Sequence, residues 1–522
     1  MNTVSRVGRW MRLATGGAVI ATVMLFAMAC APQDDAAEAE AEAPPQELII
    51  VSQSDVVSLD PHGSNDSPSS NVRTKIYENL VYFNEDMELQ AGLATDWEPV
   101  DELTWEFTLR EGVTFHDGTP FTAEAVQANL ERVIDPDMAS QRAFLFTMLD
   151  EITVVDDYTV RISTEFPFAP LLSHLAHDAA GMASPTALEE AGFDEVEPIG
   201  TGAYRFVSWD PGNEVVLERN EDYWGELPNP DRVVFRVVPE ESTRLALIER
   251  GDAHVAEILQ PASMERVEAS QGMNLRLFPS LSLNYIGFNV DEEPFDDPRV
   301  RQAVSMAVNV QSMIDGIVEG AGTRAIGPIS EAVVGYHPDL EPLPYDPDMA
   351  ADLLADAGLE DGFSTTIWTN DNPTRIAIAE IVQNNLAELN IDVEIEVLEW
   401  GAYLDQTAEG LHDMFILGWV TVTGDADYGM YALLHSSNVG APGNRSFYRN
   451  DRVDELLDQG RRETNPEARV QLYHEVQEIL IEEAPMLNLY HPQWMIAVAD
   501  EVEGYSHHPD NSMLIDEVTV TE

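Results

Sequence analysis

The most frequent reactive groups in this 522-residue chain are carboxylates, with 94 Asp and Glu against 27 Lys and Arg. Two carboxylates can hydrolyse a glycosidic bond when one acts as the acid and the other as the base or nucleophile. With acids this abundant, neighbouring pairs carry almost no information about catalysis. The chain has one cysteine, Cys30, and no Gly-x-Ser-x-Gly turn around a nucleophilic serine. These residue types predict that the protein is not an enzyme, with an exported hydrolase as the weaker alternative.

Three further motifs begin a phosphate-binding or metal-binding pattern without completing it. The Gly-Thr-Gly at 200–202 lacks a third glycine at the required spacing, which favours a tight turn. The His-Glu pair at 474–475 lacks the second His of a zinc-protease helix. His507 and His508 could ligate a metal, although adjacent histidines on a polar loop also occur without one. We therefore expect no cofactor and no resident metal.

The composition indicates a large folded protein with a strongly acidic surface. Hydrophobic residues make up 44% of the chain and the formal net charge is −67, which excludes a disordered acidic tail over its full length. Nucleic acid and anionic membrane surfaces are poor partners for such a charge. Lys75 is the only lysine. This composition fits salt adaptation, and an acidic protein from a GC-rich genome is the alternative.

The first 29 residues have the pattern of an export signal. Arg6, Arg9 and Arg12 precede an apolar segment from residue 13 to residue 29, which is short for a membrane-spanning helix and ends in small residues. Its removal would take away three arginines and no acid, which changes the net charge from −67 to −70. We predict a signal peptide at 1–29.

Cys30 directly follows this signal, after Ala-Met-Ala, in a pattern that resembles a bacterial lipobox. Lipidation of Cys30 would anchor the protein to a membrane, whereas ordinary signal-peptidase cleavage would leave it as a free N-terminus. Residues 30–47 contain an Ala-Glu repeat and the pair Pro44-Pro45, which predicts a flexible acidic tether.

After the tether, the predicted secondary structure changes from mostly strands in the N-terminal part to alternating strands and helices in the C-terminal part. The N-terminal part favours strands, at 48–51 and 105–109 and in a hairpin formed by 152–155 and 158–162. Beyond residue 290, helices begin at Asp-Pro or Asn-Pro pairs, with N-caps at Asp297, Asp346 and Asn465.

A βαβαβ unit is predicted in the C-terminal half. The strands 365–369, 391–397 and 414–419 alternate with helices, the first of them at 375–389. Ligands of open α/β sheets bind beyond the carboxyl ends of the strands, so the loop after Trp419 is the first place to look for a site.

Five stretches, taken together and in order, resemble the family 5 extracellular solute-binding proteins of ABC importers, the class that binds dipeptides, oligopeptides, glutathione and nickel. The longest runs from Thr104 to Ala123 and contains Arg-Glu-Gly-Val-Thr-Phe-His-Asp-Gly-Thr-Pro-Phe. The other four are Ser58-Leu-Asp-Pro61, Pro198-Ile-Gly-Thr-Gly-Ala-Tyr204, Arg219-Asn-Glu-Asp-Tyr-Trp224 and Phe295-Asp-Asp-Pro-Arg-Val-Arg-Gln-Ala303. Within them we expect Phe115 and Phe121 to be core.

This resemblance implies an α/β fold, a two-lobed periplasmic-binding-protein clamshell of type II with an extra subdomain in the N-terminal lobe. Ligand binds in the cleft and the hinge closes over it. The implied boundaries are a lobe I core of 48–85, 200–292 and 490–522, an extra subdomain at 86–199, and lobe II at 293–489.

The sequence also indicates which solutes to expect. Dipeptide-binding relatives hold a zwitterion between an Asp shortly after a Gly-Trp pair and an Arg shortly before Asn-Pro. Here Val422 and Thr369 stand at those positions, and loss of both charges should greatly weaken dipeptide binding. The Gly-Asp-Ala-Asp at 424–427 is similar to the glutathione-binding branch. Glutathione, peptide conjugates and longer peptides therefore rank above dipeptides.

Candidate ligand contacts are polar or aromatic side chains at strand ends and in loops. Trp419 could stack on ligand or belong to the hinge core. Asp425 or Asp427 could receive an amine or cap a helix. Arg445 could bind a carboxylate or form an internal ion pair. The full set is Asn65, Asp66, Arg142, Trp419, Asp425, Asp427, Asn444 and Arg445.

The resemblance implies a substrate-binding lipoprotein that captures a peptide or glutathione-like solute and delivers it to an ABC permease and ATPase in the cytoplasmic membrane. A nickel complex or an oligosaccharide is the alternative ligand. We expect an exported monomer, periplasmic or at the cell surface, that contacts the membrane only through lipid on Cys30.

Overall fold

The computed structural model describes residues 46–64, 66–138, 140–190, 197–440 and 443–521. The predicted signal peptide, Cys30, most of the predicted tether and the candidate residue Asn65 lie outside these ranges. Within them, no helix is both long enough and apolar enough to cross a membrane.

A seven-stranded mixed sheet is built around the strand Glu47–Ser52, which pairs in parallel with both of its neighbours. Leu48, Ile50 and Val51 in this strand are fully buried, as expected for a central parallel strand, and the predicted strand at 48–51 is confirmed. In spatial order the strands are Met273–Phe278, Trp494–Ala499, Val255–Ile258, Glu47–Ser52, Arg232–Val237, Glu214–Arg219 and Tyr204–Asp210.

A six-stranded sheet contains the predicted βαβαβ unit. The strand Ser364–Asn370 pairs in parallel with Asp392–Leu398 on one side and with Met414–Val420 on the other, and the helix Pro373–Ala387 connects the first two, so the unit is confirmed. In spatial order the strands are Gly322–Arg324, Met486–Pro492, Ser282–Phe288, Met414–Val420, Ser364–Asn370 and Asp392–Leu398.

A four-stranded antiparallel sheet is inserted between the first helix and the strand Tyr204–Asp210. It contains the predicted hairpin around Asp156 and Asp157, which is confirmed. Phe115 and Phe121 pack in the core beside it with their ring centroids 6.0 Å apart, as expected. Its strands are Ala94–Pro99, Thr104–Leu109, Thr159–Thr164 and Leu149–Asp156. Shorter two-stranded sheets pair Val81–Phe83 with Leu89–Ala91, Val502–Glu503 with Thr519–Val520, and Ser506–His507 with Met513–Leu514.

The helices begin where the sequence signals predicted. The side chains of Asp297, Asp346 and Asn465 each accept a hydrogen bond from a backbone N–H in the first turn, and Pro follows each cap. The α-helices are Ser67–Ile76, Ala123–Ile134, Leu171–Leu175, Pro185–Glu190, Glu241–Glu249, Met264–Ala269, Pro298–Ala307, Val310–Met313, Pro347–Asp356, Pro373–Ala387, Trp400–Ala408, Ala432–Leu434, Asp451–Arg462 and Pro466–Glu483. Single-turn 3₁₀ or π segments are Pro136–Met138, Ala143–Leu145, Asp178–Ala180, Pro261–Ser263, Ile314–Val318, Asp427–Tyr431 and Ser436–Asn438.

We define lobe I by the seven-stranded and four-stranded sheets and lobe II by the six-stranded sheet. The chain passes from lobe I to lobe II at residues 279–281, between the strands Met273–Phe278 and Ser282–Phe288. It returns at Gln493, between Met486–Pro492 and Trp494–Ala499. The strand Ser282–Phe288 thus belongs to the sheet of lobe II, although it precedes the implied boundary at residue 293.

Candidate functional site

A cavity of about 620 Å³ lies between residues of the two lobes. The helix Ser67–Ile76 supplies part of its lobe I wall, and the end of the strand Met414–Val420 begins its lobe II wall. This strand end is where the loop after Trp419 was expected to form a site. Such a volume is within the range of small-molecule binding sites.

The helix Ser67–Ile76 is fixed at its start by Asp66, whose side chain accepts a hydrogen bond from the backbone N–H of Ser69. Asp66 lines the cavity together with Ser70 and Arg73, which follow at helical spacing. Ser70 and Arg73 therefore face the cavity, while Val72 and Ile76 are buried in the core.

Two buried arginines share one carboxylate in the lobe I wall. Arg73 lies 3.2 Å and Arg142 lies 2.8 Å from the oxygens of Asp178, and each arginine side chain is 1% exposed. Burial would raise the pKa of Asp178, but the two arginines and His177 hold it far below its usual range. Burial also lowers the pKa of His177 to about 4, so this ring is neutral at pH 7. The hydroxyl oxygen of Ser70, which is uncharged, accepts a hydrogen bond from each of the two arginines.

The only lysine of the chain lines the same wall. Lys75 donates a hydrogen bond of 2.5 Å to the backbone carbonyl of Met513, and burial lowers its pKa against the opposing effect of Asp516 and Asp510. Asp510 also lies 2.9 Å from His508. Burial opposes protonation of His508, but the hydrogen bond and charge of Asp510 outweigh it and raise the pKa of the ring.

Glu78 forms a third polar group in this wall. Its carboxylate accepts hydrogen bonds of 2.7 Å from the hydroxyl groups of Thr201 and Tyr223 and from the indole N–H of Trp224. Burial raises the pKa of Glu78, and these three donors oppose that rise. The guanidinium of Arg110 lies 4.3 Å from the Trp224 ring centroid and helps to hold the indole in place.

The lobe II wall is apolar and aromatic. The ring of Trp419 stacks on Tyr428 with the centroids 5.4 Å apart and the planes at 29°. Gly418, Val420 and Val422 complete this wall. Among the described residues, this wall contributes no acidic or basic side chain to the cavity.

Three of the predicted contacts line the cavity: Asp66, Arg142 and Trp419. Asn65 lies outside the described residues, so the structure does not place it. Asp66 and Arg142 also have structural partners, a helix N-terminus and Asp178 respectively.

Four predicted contacts do not line the cavity. Both carboxylate oxygens of Asp425 bind the guanidinium of Arg469 at 2.6 Å. Asp427 lies 3.0 Å from Arg461, and burial raises its pKa to about 6. Asn444 is fully buried and bonds within its own loop, and the backbone carbonyl of Arg445 contacts His412. The four residues are Asp425, Asp427, Asn444 and Arg445.

The sequence analysis did not select several residues that line the cavity, although features of the sequence pointed to them. Lys75 is the single lysine, and Tyr223 and Trp224 lie in one of the five family stretches. His508 was considered only as a metal ligand, yet it lines the cavity. Within the part of the chain that the structure describes, no group of three or more His, Cys, Asp or Glu side chains is arranged to hold a metal ion.

Residues 88–441 match the family model of the bacterial extracellular solute-binding proteins, family 5. The chain belongs to this family. The resemblance stated from the sequence and the two-lobed α/β fold are confirmed. This match covers strands and helices of both lobes.

Relatives match almost the whole length of the chain. The glutathione-binding protein GsiB of Pectobacterium atrosepticum is 34% identical over 490 residues, which are 91% of this chain and 95% of the relative. The solved periplasmic binding protein DppA of Helicobacter pylori, in complex with the peptide STSA, is 30% identical with a TM-score of 0.77 and covers 92% of this chain and 99% of its own. A dipeptide-binding protein of a Pseudoalteromonas species, in complex with Met-Leu, is 26% identical with a TM-score of 0.79 and covers 91% of this chain and 100% of its own.

Proposed function

We propose that this protein is the substrate-binding component of an ABC importer that captures a peptide-like solute in the interlobe cavity and delivers it to a membrane permease and its ATPase. The observation that carries the proposal is the cavity itself, which joins a wall of charged groups in lobe I to an aromatic wall in lobe II. Capture needs only a higher affinity for the closed state and no covalent step, so we propose no enzymatic activity.

The size of the cavity supports a short peptide or a glutathione-like solute. About 620 Å³ equals the liquid volume of about 20 waters. Relatives of this chain bind glutathione, the tetrapeptide STSA and the dipeptide Met-Leu. The charged clamp for free dipeptides is absent here, because Val422 lines the cavity without a charge and Thr369 is fully buried outside the lining. We therefore place glutathione-like solutes and longer peptides ahead of dipeptides.

We propose a division into lobe I, extra subdomain and lobe II, as the family resemblance implies, but with the passages between the lobes at 279–281 and 493 in place of the implied boundaries at 293 and 490. We further propose that residues 1–29 direct export and that Cys30 carries lipid. Labelling with radioactive palmitate in a bacterial host tests this, with Cys30→Ser as the control. Label on both proteins, or on neither, would contradict lipidation of Cys30.

A thermal-unfolding screen in high salt tests the proposed capture of peptide-like solutes. Its panel contains glutathione, di- and oligopeptides, nickel-histidine and oligosaccharides. A ligand at 100 times its Kd stabilises the folded protein by about 2.7 kcal/mol, which gives a measurable shift. We expect a shift with glutathione or longer peptides and little or none with dipeptides. A shift with only nickel-histidine or an oligosaccharide would overturn the peptide assignment.

A further inference from the structure

We infer that the cavity selects peptide-like solutes that carry an aromatic side chain or substituent, which binds against Trp419 while the charged groups of the solute face lobe I. This inference rests on the proposed function and names the solute class of the same site. It follows from how charge is distributed between the two walls.

The charged groups of the cavity all lie on one side. Among the described residues, ten that line the cavity carry an acidic or basic side chain, and all ten belong to lobe I. They are Asp66, Arg73, Lys75, Glu78, Arg142, His177, Asp178, His508, Asp510 and Asp516. Within the part of the chain that the structure describes, the ammonium and carboxylate groups of a peptide-like solute therefore have oppositely charged partners only on the lobe I side.

Two acids that follow the lobe II wall in sequence are not available to a ligand. Asp425 and Asp427 do not line the cavity, and they pair instead with the buried Arg469 and the half-buried Arg461, respectively. A charged ligand group placed against this wall would lose its hydration without gaining an oppositely charged partner, which is strongly unfavourable.

Trp419 offers this wall an aromatic surface with an unused donor. Its ring stacks on Tyr428, which in turn lies 6.1 Å from Phe144, a lobe I residue that is 46% exposed. The indole Nε1–H of Trp419 is buried and has no hydrogen-bond partner among the described residues. A solute with a ring next to a carbonyl can stack on these aromatic residues and accept this hydrogen bond.

Unsubstituted glutathione lacks an apolar group for this wall, whereas an aromatic S-conjugate or a peptide with Phe supplies one. Two matched ligand pairs isolate the ring. S-benzylglutathione differs from glutathione by the benzyl group, and Ala-Phe-Ala differs from Ala-Ala-Ala by the phenyl ring, with no change in formal charge in either pair.

Isothermal titration calorimetry of the four ligands tests the inference. The proteins are the full exported chain, its Trp419→Leu variant and a control, Trp400→Leu, whose Trp is 44% exposed in lobe II and does not line the cavity. We expect the aromatic ligand of each pair to bind at least tenfold tighter, about 1.4 kcal/mol, to the unmodified protein and to the control. In Trp419→Leu this preference should fall below threefold.

Each outcome decides between the inference and the proposed function. Equal affinity within both pairs, or a preference that Trp419→Leu leaves intact, would overturn the inference and leave peptide capture standing. Failure of all four ligands to bind the folded unmodified protein would overturn the proposed function itself. If Trp419→Leu does not fold, Tyr428→Leu replaces it in the same comparison, because Tyr428 supports the Trp419 ring.

Discussion

The backbone N–H of Ala169 in lobe I donates a hydrogen bond of 2.7 Å to the backbone carbonyl of Arg461 in lobe II. The guanidinium of Arg461 lies 5.2 Å and 5.8 Å from the ring centroids of Phe168 and Phe166 in lobe I, and 4.0 Å from that of Tyr431 in lobe II. None of these five residues lines the cavity. We call this group the Arg461 latch, since it joins the lobes away from the segments 279–281 and 493 where the chain crosses between them.

Replacement of Phe166 by Leu should weaken ligand binding although Phe166 does not touch the cavity. The change removes a cation–π contact with Arg461 and keeps the ion pair between Arg461 and Asp427. A cation–π contact contributes about 0.5–1 kcal/mol at exposed sites, so the Kd should rise roughly two- to fivefold. Calorimetry with the glutathione or peptide ligand that gives the largest thermal shift measures this.

The control for the latch is Arg452→Ala, on the same helix as Arg461. Arg452 is exposed and pairs with Glu475 and Glu455 within lobe II. Its replacement should leave the Kd unchanged. An unchanged Kd for Phe166→Leu, or an equal loss in both variants, would show that the latch does not favour the closed state.

Gly202 is required for close approach of two segments in the lobe I wall. A Cβ at this position would lie 2.5 Å from the carbonyl oxygen of Lys75 and 2.7 Å from that of Ile76, both of them backbone atoms. Gly202→Ala must therefore shift the helix end that holds Lys75, and we expect the free energy of unfolding to fall by about 1–3 kcal/mol. Urea unfolding at constant high salt measures the change.

Gly316→Ala is the matched control for this substitution. No atom lies within 4 Å of a Cβ at Gly316, and the residue belongs to the helical segment Ile314–Val318. Alanine there should be neutral or stabilise by up to about 1 kcal/mol. Equal effects of the two substitutions would refute the steric explanation.

Local patterns predicted the elements because their causes are local. An Asp-Pro or Asn-Pro pair caps the helix that follows it, as at Asp297 and Asn465. The run of apolar residues in a strand such as Glu47–Ser52 indicates that the strand is buried. These signals act within a few residues, and the structure confirms them.

Most of the cavity depends on partners that are distant in sequence. The sequence made Asp425 a candidate for a ligand amine, but Arg469, in the first turn of the helix Pro466–Glu483, pairs with it in the core. Lys75 donates a hydrogen bond to Met513, which lies 438 residues away in the sequence. No local spacing encodes such contacts, so the sequence indicated the loop after Trp419 but could not reveal that Asp425 and Asp427 pair with arginines and do not line the cavity.

Six buried neutral histidines should make the folded protein less stable as the pH falls. Burial lowers the pKa of one to about 3 and of five others to about 4, in order His62, then His116, His174, His177, His412 and His507. Unfolding returns each ring to a pKa near 6.5, so below pH 6.5 the unfolded state binds protons that the folded state does not.

The contribution of these histidines to the free energy of unfolding should therefore be complete above pH 6.5 and be lost as the pH falls from 6.5 to about 4. Each such histidine contributes about 1.4 kcal/mol per pH unit once the pH is well below 6.5. His174→Gln can keep the hydrogen bond to the carbonyl of Leu145. It should reduce the slope of the free energy of unfolding against pH by the contribution of one histidine, about 1.4 kcal/mol per pH unit. Urea unfolding at several pH values measures the slopes, and an unchanged slope would contradict the neutral state of His174.

His508 should act in the opposite direction and serves as the comparison. Its pKa is raised, since the hydrogen bond and charge of Asp510 outweigh burial, so its stabilising contribution is complete below pH 6.5 and is lost as the pH rises through the raised pKa. His508→Gln should therefore cost more stability at pH 6 than at pH 9. A cost that is the same at both pH values would show that the ion pair with Asp510 contributes nothing.

Stability should also rise with salt, because the chain repels itself. The formal charge is −67 for the whole chain and −70 without residues 1–29, which contain three arginines and no acid. Salt at 0.1 M already shortens the range of such repulsion to about 10 Å, and molar salt shortens it to about 3 Å. Thermal unfolding from low to molar NaCl should show a rising midpoint, and sucrose at equal osmolality distinguishes screening from general solute exclusion. A midpoint that stays flat or falls in NaCl, or that rises equally in sucrose, would show that the acidic surface is not an adaptation to salt.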